Sequence, residues 1–220
     1  MDKAQFAPRR IDMESYARRA HFDYFRGMDY PYMGTTVMLD ITDFMNANRK
    51  NGLPFFLSFL WCVARAANSV PELRQRIEDE GIVEYEHCDT SHTEAKPDGT
   101  YAYCTLDCSL PIERFIPYAK EKQAQVRGGG NIHENADEVS SLVFISSVPW
   151  FSYTAIVQPV PKPADSNPRI TWGKYTERDG RITIPVSILC NHAIVDGVHL
   201  AKFYENLQGL LRESCDVIRK

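Results

Sequence analysis

The chain lacks the features that mark several common classes of protein. No stretch approaches the roughly 18 apolar residues that a membrane helix requires, and Met1–Phe6 contain no apolar core of an export signal. No glycine-rich phosphate fingerprint follows a predicted strand, and no repeat or low-complexity tract is present. We therefore expect a cytoplasmic protein that does not bind membranes. Any nucleotide-like cofactor is expected to be held without a Rossmann or P-loop motif.

Cysteine and basic charge are also scarce. Six cysteines in 220 residues are too few for a disulfide scaffold. The 25 Lys and Arg residues against 29 Asp and Glu give a formal net charge of −4, which argues against nucleic acid as a partner. Because 44% of the residues are hydrophobic, the chain can bury a full core, and we expect residues 1–220 to form one domain.

The only close cysteine pair, Cys104 and Cys108, raises the possibility of a metal site with His87, Cys88 or His92, since thiolate and imidazole are the ligands that zinc prefers. The two cysteines share a face only if the alternating strand around Cys104 continues unbroken. The alternative is isolated buried thiols, and we predict that the protein binds no metal.

Hydrophobic periodicity predicts an α+β protein. We expect helices over residues 12–25, 42–50 (with Thr42 as N-cap), 53–68, 112–126 and about 200–214. We expect strands over residues 33–41, 82–87, 100–106, 142–148, 169–176 and 181–189. Turn dipeptides at Asp98-Gly99 and Asp179-Gly180 predict hairpins. The elements alternate irregularly, which favours a mixed, largely antiparallel sheet packed with helices.

One junction carries candidate chemistry. His192 lies where an apolar strand ends, and Asp196 lies four residues later, where a helix begins. Imidazole ionises near neutrality, so a fixed, neutral His192 can act as a general base that takes a proton from an attacking hydroxyl or thiol. Asp196 either orients the histidine or braces the turn. The alternative is an ordinary helix cap at Asp196 beside a structural histidine.

Four segments together resemble the chloramphenicol acetyltransferases in order and spacing. They are residues 192–199 (His-Ala-x-x-Asp-Gly-x-His), 16–22 (Tyr-Ala-Arg-Arg-Ala-His-Phe), 145–150 (Ile-Ser-Ser-Val-Pro-Trp) and 171–175 (Thr-Trp-Gly-Lys-Tyr). The family usually has a second histidine where this chain has Asn191. The related dihydrolipoyl acyltransferase cores usually have Asp-His-Arg-x-x-x-Asp-Gly, so Ala193 favours the first family. The departure at Asn191 bears on the acceptor substrate and not on the base.

The resemblance implies a two-layer sandwich and a trimer with active sites between its subunits. It implies transfer of an acetyl group from acetyl-coenzyme A to a hydroxyl of chloramphenicol or a similar small acceptor. His192 would be the base, Ser146 the hydrogen-bond donor to the oxyanion, and Thr171 a residue near the reacting centre. Arg18 would form a buried ion pair with Asp196, so that loss of one partner would cost about 3–5 kcal/mol.

The resemblance also assigns two groups of binding residues. Trp150, Lys174 and Tyr175 would bind coenzyme A, and Tyr24, Phe25 and Tyr101 would line the acceptor pocket. Each residue also has an ordinary explanation as part of the core or as a solvated charge. Because side chains alternate along a strand, only one of Ser146 and Ser147 can face the site, and we choose Ser146.

Two further functions stay open at this point. A related acyltransferase could act on another alcohol, amine or thiol, because this scaffold fixes the base and cofactor more firmly than the acceptor. A noncatalytic trimeric binding protein is the second alternative. It would not need His192, Asp196, Ser146 and Arg18 together.

Overall fold

The computed structural model describes residues 8–129, 132 and 138–217, the last four by their backbone alone. The helices are α1 (Arg19–Arg26), α2 (Thr42–Asn51), α3 (Phe55–Asn68), α4 (Ile112–Gly129) and α5 (Gly197–Val217). The strands are β1 (Arg9–Arg10), β2 (Tyr32–Asp40), β3 (Gln75–Glu78), β4 (Gly81–Glu84), β5 (Asp89–Ala95), β6 (Tyr101–Leu106), β7 (Leu142–Val148), β8 (Arg169–Gly173), β9 (Thr176–Arg178) and β10 (Arg181–Asn191). Short 3₁₀ turns lie at Pro71–Arg74 and Val139–Ser141.

The main sheet, as far as the chain is described, has seven strands in the order β2-β10-β8-β7-β5-β6, with β9 paired to β10. The pairs β5–β7 and β7–β8 are parallel, and the other pairs are antiparallel. A smaller antiparallel sheet joins β1, β4 and β3. The predicted α+β class with a mixed, largely antiparallel sheet is confirmed.

Helices cover one face of the main sheet. Helix α3 packs against α4 and α5, and its Phe59, which is fully buried, contacts the rings of Phe44, Phe55 and Trp172. Trp172 therefore points toward the helices, and its strand neighbour Thr171 points to the opposite face. None of the helices in the described ranges is long and apolar enough to cross a membrane.

The structure corrects the predicted N-terminal helix. Residues 12–15 form a local turn, in which the Asp12 carboxylate accepts hydrogen bonds from the Glu14 amide at 3.0 Å and the Ser15 hydroxyl at 2.7 Å. Such side-chain bonds compete with helix formation, and α1 begins only at Arg19. Thr42 is likewise not the N-cap but the first residue of α2, and Asp40 accepts the hydrogen bond from its amide.

The largest error of the sequence prediction lies in residues 75–106. Strand β5 was not predicted because Asp89–Ala95 are mostly polar, yet β5 lies inside the sheet and pairs with β6. The Asp98-Gly99 turn therefore joins β6 to β5 and not to the predicted strand 82–87. That segment is β4, which belongs to the small sheet. The strand predicted over 169–176 is also broken, because the Lys174 amide donates to the Phe151 carbonyl.

The aromatic contacts of Phe59 predict a large stability effect. Replacement of Phe59 by alanine should lower the free energy of unfolding by about 3–5 kcal/mol, because it leaves a cavity between α3 and the sheet. Urea denaturation followed by circular dichroism measures this change. Val157→Ala, at a side chain that is 93% exposed, is the control and should change the free energy by less than about 0.5 kcal/mol. Equal effects of the two substitutions would contradict this description of the core.

Candidate active site

His192 follows the last residue of β10 and is held at three points. Its amide donates to the Pro31 carbonyl at 2.7 Å, its Nδ1 lies 2.8 Å from the Val195 carbonyl oxygen, and its ring lies against Phe25 with centroids 3.9 Å apart. A carbonyl oxygen only accepts hydrogen bonds, so Nδ1 carries the hydrogen. In the neutral ring, Nε2 therefore has the lone pair that a general base needs.

Asp196 serves both as a cap and as an ion-pair partner. Its carboxylate accepts a hydrogen bond from the Val198 amide at 3.1 Å, at the start of α5, and another from Arg18 Nη1. Burial alone would raise the pKa of Asp196, but these hydrogen bonds outweigh it and hold the pKa below its usual value. The Arg18 and Asp196 side chains are 21% and 27% exposed. The pair is thus partly and not fully buried, and we expect its loss to cost less than the 3–5 kcal/mol of a fully buried pair.

Ser146 and Thr171 form a second group on β7 and β8. They are register partners on the face of the sheet opposite the helices, and the Thr171 hydroxyl donates to Gln158 Oε1 at 3.2 Å. Ser147 lies on the other face, where it lines a cavity of about 620 Å³ with Glu94 and Arg127. The two serines therefore face opposite sides of the sheet, as predicted.

The three candidate cofactor residues lie at the end of the same two strands. Trp150 follows β7 and is 75% exposed. Lys174 follows β8 and is also exposed. The hydrogen bond from its backbone amide to the Phe151 carbonyl holds it next to the segment after Trp150. The Tyr175 ring meets the edge of Phe55 at the start of α3, with centroids 5.5 Å apart. An exposed amine and an exposed indole thus follow Thr171 and Ser146 by three and four residues at the same end of the sheet.

The candidate acceptor residues fall into two places. Phe25 contacts His192, and Tyr24, which is 67% exposed, meets Phe25 edge-on at 5.0 Å. Tyr101 lies instead on the edge strand β6, paired with Ala95 at the end of β5, and is 49% exposed. Since β5 and β7 are parallel, Tyr101 lies toward the end of the sheet that carries Trp150.

His192 and Ser146 do not meet within one chain. Ser146 is level with Thr171, and Thr171 is level with Ser187 on β10. His192 lies five residues beyond Ser187, which is about 17 Å along the strand at about 3.3 Å per residue. A general base has to lie within about 3 Å of the proton that it removes. The candidate site therefore has two separate halves within one chain. One half holds His192 with Arg18 and Phe25, and the other holds Ser146 with the cofactor candidates.

Sequence reasoning did not find the polar network behind the base. Asn191 donates to the Asp165 carbonyl at 2.9 Å and accepts from the Ala193 amide at 3.0 Å. Asp165 pairs with Arg169 through two hydrogen bonds and accepts a third from the Tyr32 hydroxyl. Burial, followed by the nearby Asp165 charge, raises the pKa of Tyr32 to about 12. Tyr32 and Asp165 are 133 positions apart, so no local pattern predicts their contact.

The cysteine and histidine residues considered for a metal do not assemble. Cys88, Cys104 and Cys108 form no disulfide, and all three are buried. Burial raises the pKa of Cys108 to about 12, which disfavours the thiolate that a metal needs. The group of close donor side chains found in the described residues consists instead of His87, Asp89 and Asp107. His87 Nε2 lies 3.6 and 3.9 Å from the two carboxylates, and burial lowers the pKa of His87, which disfavours the charged ring that an ion pair would need.

Comparison with known proteins identifies the family. The family model described as chloramphenicol acetyltransferase matches residues 6–208. The chain belongs to the chloramphenicol acetyltransferase family. It is 28% identical to chloramphenicol acetyltransferase of Streptomyces acrimycini, over 97% of this chain and 98% of that protein. It is 27% identical to chloramphenicol acetyltransferase 2 of Haemophilus influenzae, over 96% and 98%.

Solved structures agree with this assignment. A chloramphenicol acetyltransferase structure superposes with a TM-score of 0.86 at 26% identity, covering 93% of this chain and all of that chain. A probable dihydrolipoamide acetyltransferase from Listeria monocytogenes shares the fold, with a TM-score of 0.65 at 17% identity and 96% coverage of both chains. The chain is thus a member of an acetyl-coenzyme A-dependent acyltransferase family, and the predicted fold and family are confirmed.

The partly buried Arg18–Asp196 pair predicts a measurable coupling energy. In a double-mutant cycle with Arg18→Met and Asp196→Asn, urea denaturation should give a coupling of about 1–3 kcal/mol at neutral pH. The pKa of Asp196 is lowered in the folded state. The coupling should therefore be complete above the ordinary carboxyl pKa of about 4 and be lost as the pH falls further.

The pair Arg19–Asp23 on α1 is a matched control. Both side chains are 48% exposed and four residues apart. The cycle with Arg19→Met and Asp23→Asn should give at most about 0.5 kcal/mol. If the Arg18–Asp196 coupling were no larger than this, the ion pair would not brace the histidine turn.

Proposed function

We propose that this protein transfers the acetyl group of acetyl-coenzyme A to a hydroxyl of chloramphenicol or a similar small acceptor, with His192 as the general base. The observation that carries the proposal is the hydrogen bond from His192 Nδ1 to the Val195 carbonyl. It leaves the lone pair on Nε2, at a ring whose rotamer is fixed by Phe25. Family membership supports the acetyl donor and the acceptor.

The proposed reaction needs one base and one oxyanion donor. His192 Nε2 takes the proton of the acceptor hydroxyl as its oxygen attacks the thioester carbonyl. The tetrahedral oxyanion accepts a hydrogen bond from the Ser146 hydroxyl. Collapse breaks the carbon–sulfur bond, and the imidazolium returns the proton to the departing thiolate of coenzyme A. Thr171, the register partner of Ser146, faces the same reacting centre.

Coenzyme A is proposed to approach along the ends of β7 and β8. The exposed Lys174 amine suits a phosphate, and the Tyr175 and Trp150 rings offer flat apolar surfaces for the adenine or the pantetheine arm. This binding mode needs no glycine-rich loop. Cytoplasmic location, which fits a coenzyme A substrate, is part of the same proposal, as is a single acetyltransferase domain over the whole chain.

We further propose a homotrimer in which His192 of one subunit faces Ser146 of its neighbour. The two halves of the site lie about 17 Å apart along the strand direction within one chain, so neither half is sufficient alone. Tyr24, Tyr101 and Trp150 are 67%, 49% and 75% exposed, which suits aromatic side chains that a neighbouring subunit covers. Met38 on strand β2 is also 50% exposed.

A different acceptor is the second candidate, and the network behind the base favours it. Asn191 connects the histidine turn to Asp165, whose carboxylate holds Arg169 and Tyr32. This polar network adjoins the histidine turn through Asn191, so it can select an alcohol, amine or thiol other than chloramphenicol. A noncatalytic binding protein would have no use for the fixed Nε2 lone pair.

The first test is release of the coenzyme A thiol from acetyl-coenzyme A. We expect rapid, chloramphenicol-dependent release by the wild type. In His192→Ala, release should fall by about 10⁴-fold or more, because base catalysis and positioning are both lost. Coenzyme A binding, measured by calorimetry, should persist in the variant. If the wild type bound coenzyme A but showed no chloramphenicol-dependent release, the proposal would move to another acceptor. A screen of alcohols, amines and thiols would then identify it.

Mixed oligomers test whether the site is shared between subunits. His192→Ala should be inactive, and Ser146→Ala should lose about 10²–10³-fold in kcat. When both variants are co-expressed at equal levels, about a quarter of the sites should combine an intact His192 with an intact Ser146 of the neighbour and regain activity. His192→Ala mixed with the His192→Ala/Ser146→Ala double variant is the control and should stay inactive. If native mass spectrometry showed mixed trimers but activity did not recover, the shared site would be excluded.

A further inference from the structure

The peptide group between Val195 and Asp196 is held by a histidine at each end. Its carbonyl oxygen accepts the hydrogen bond from His192 Nδ1 at 2.8 Å, and its amide donates to His199 Nδ1 at 3.0 Å. Because a peptide group is planar, its carbonyl and amide cannot rotate independently. The ring of His199 therefore fixes the direction in which the Val195 carbonyl meets His192.

His199 has the protonation state that this contact requires. An amide can only donate, so Nδ1 of His199 is unprotonated and its hydrogen is on Nε2, which lies 3.5 Å from Glu72 Oε1 in the 3₁₀ turn 71–74. The side chain is only 6% exposed, and burial lowers the pKa of His199, which keeps the ring neutral. The charged groups that face it are Glu72, Asp196, Arg18 and Lys202.

We infer that His199 is a positioning residue, which fixes and polarises the peptide group between Val195 and Asp196 and thereby sets the orientation and proton affinity of His192. The chemical consequence rests on the proposed function, in which His192 is the base. Acceptance of the amide hydrogen shifts electron density toward the carbonyl oxygen of the same peptide group. A stronger carbonyl acceptor stabilises the protonated His192 ring more than the neutral ring, because hydrogen bonds to a charged group are the stronger ones.

Loss of this acceptor should have a signature that a general loss of stability lacks. When the carbonyl becomes a weaker acceptor, the protonated His192 ring is stabilised less, so it forms only at lower pH. The base is then also weaker. A purely structural role for His199 would instead reduce the amount of folded enzyme and leave the pH profile of the remaining activity unchanged.

The experiment compares His199→Phe with His199→Asn. Phenylalanine keeps a ring but offers no acceptor, whereas the asparagine carbonyl oxygen occupies the position of Nδ1, one bond beyond Cγ. In His199→Phe we expect kcat/KM to fall by about tenfold or more and its acidic limb to move to lower pH by about 0.2–0.5 unit. His199→Asn should restore the pH profile and most of kcat, although it does not restore the contact with Glu72.

Two further measurements separate this inference from its alternatives. Glu205→Ala, on the exposed side of α5, is the control and should change neither the profile nor the rate. An NMR titration of the His192 ring needs no turnover and should show the same shift in His199→Phe. An unmoved His192 titration in folded His199→Phe, or equal behaviour of the Phe and Asn variants, would overturn the inference. If the His192 titration shifted in His199→Phe but the wild type never released coenzyme A, the proposed function alone would be removed.

Discussion

The hydrogen bond between His192 and the Val195 carbonyl is the contact on which the proposed chemistry depends. It lies within the five residues, 192–196, between β10 and α5, so the tautomer of the base is set by the backbone and not by a carboxylate. Backbone acceptors of this kind are only as fixed as the turn that carries them. Other contacts of the turn help to fix it. The Asp196 carboxylate accepts hydrogen bonds from the start of α5 and from Arg18, and His199 accepts one from the Asp196 amide.

The register of the main sheet is the reason for the proposal that the site is shared between subunits. Hydrogen bonding places Ser146, Thr171 and Ser187 on one row across β7, β8 and β10, and His192 lies five residues past the end of that row. Strand geometry does not allow the two ends to meet without a break in the sheet. A neighbouring copy can supply the missing half at no cost to the register. The exposed aromatic residues at both halves fit the same arrangement.

Sequence patterns predicted the central helix α3, the strand before His192 and the helix after it, because strong apolar periodicity and burial coincide there. They failed at β5, whose polar residues contact other polar groups inside the fold: Glu94 accepts hydrogen bonds from Gln123 and Arg127. A buried polar strand has no hydrophobic period to detect. The candidate site residues were predicted from motifs, whereas the Asp165 network was not, because its partners are brought together only by the sheet. The role of His199 depends on one peptide orientation, which no sequence pattern encodes.

The electrostatic surroundings of the base follow from these contacts. One ion pair, Arg18–Asp196, lies at the turn, and another, Arg169–Asp165, lies behind Asn191. Each cation is matched by a carboxylate at hydrogen-bonding distance, so each pair adds no net charge to the surroundings of the turn. Asn191 adds no charge, and its side chain bonds to two backbone groups, the Asp165 carbonyl and the Ala193 amide. The His192 ring itself bonds to the Val195 carbonyl. A neutral His199 at the other end of that peptide group can adjust this bond without adding another charge to the site.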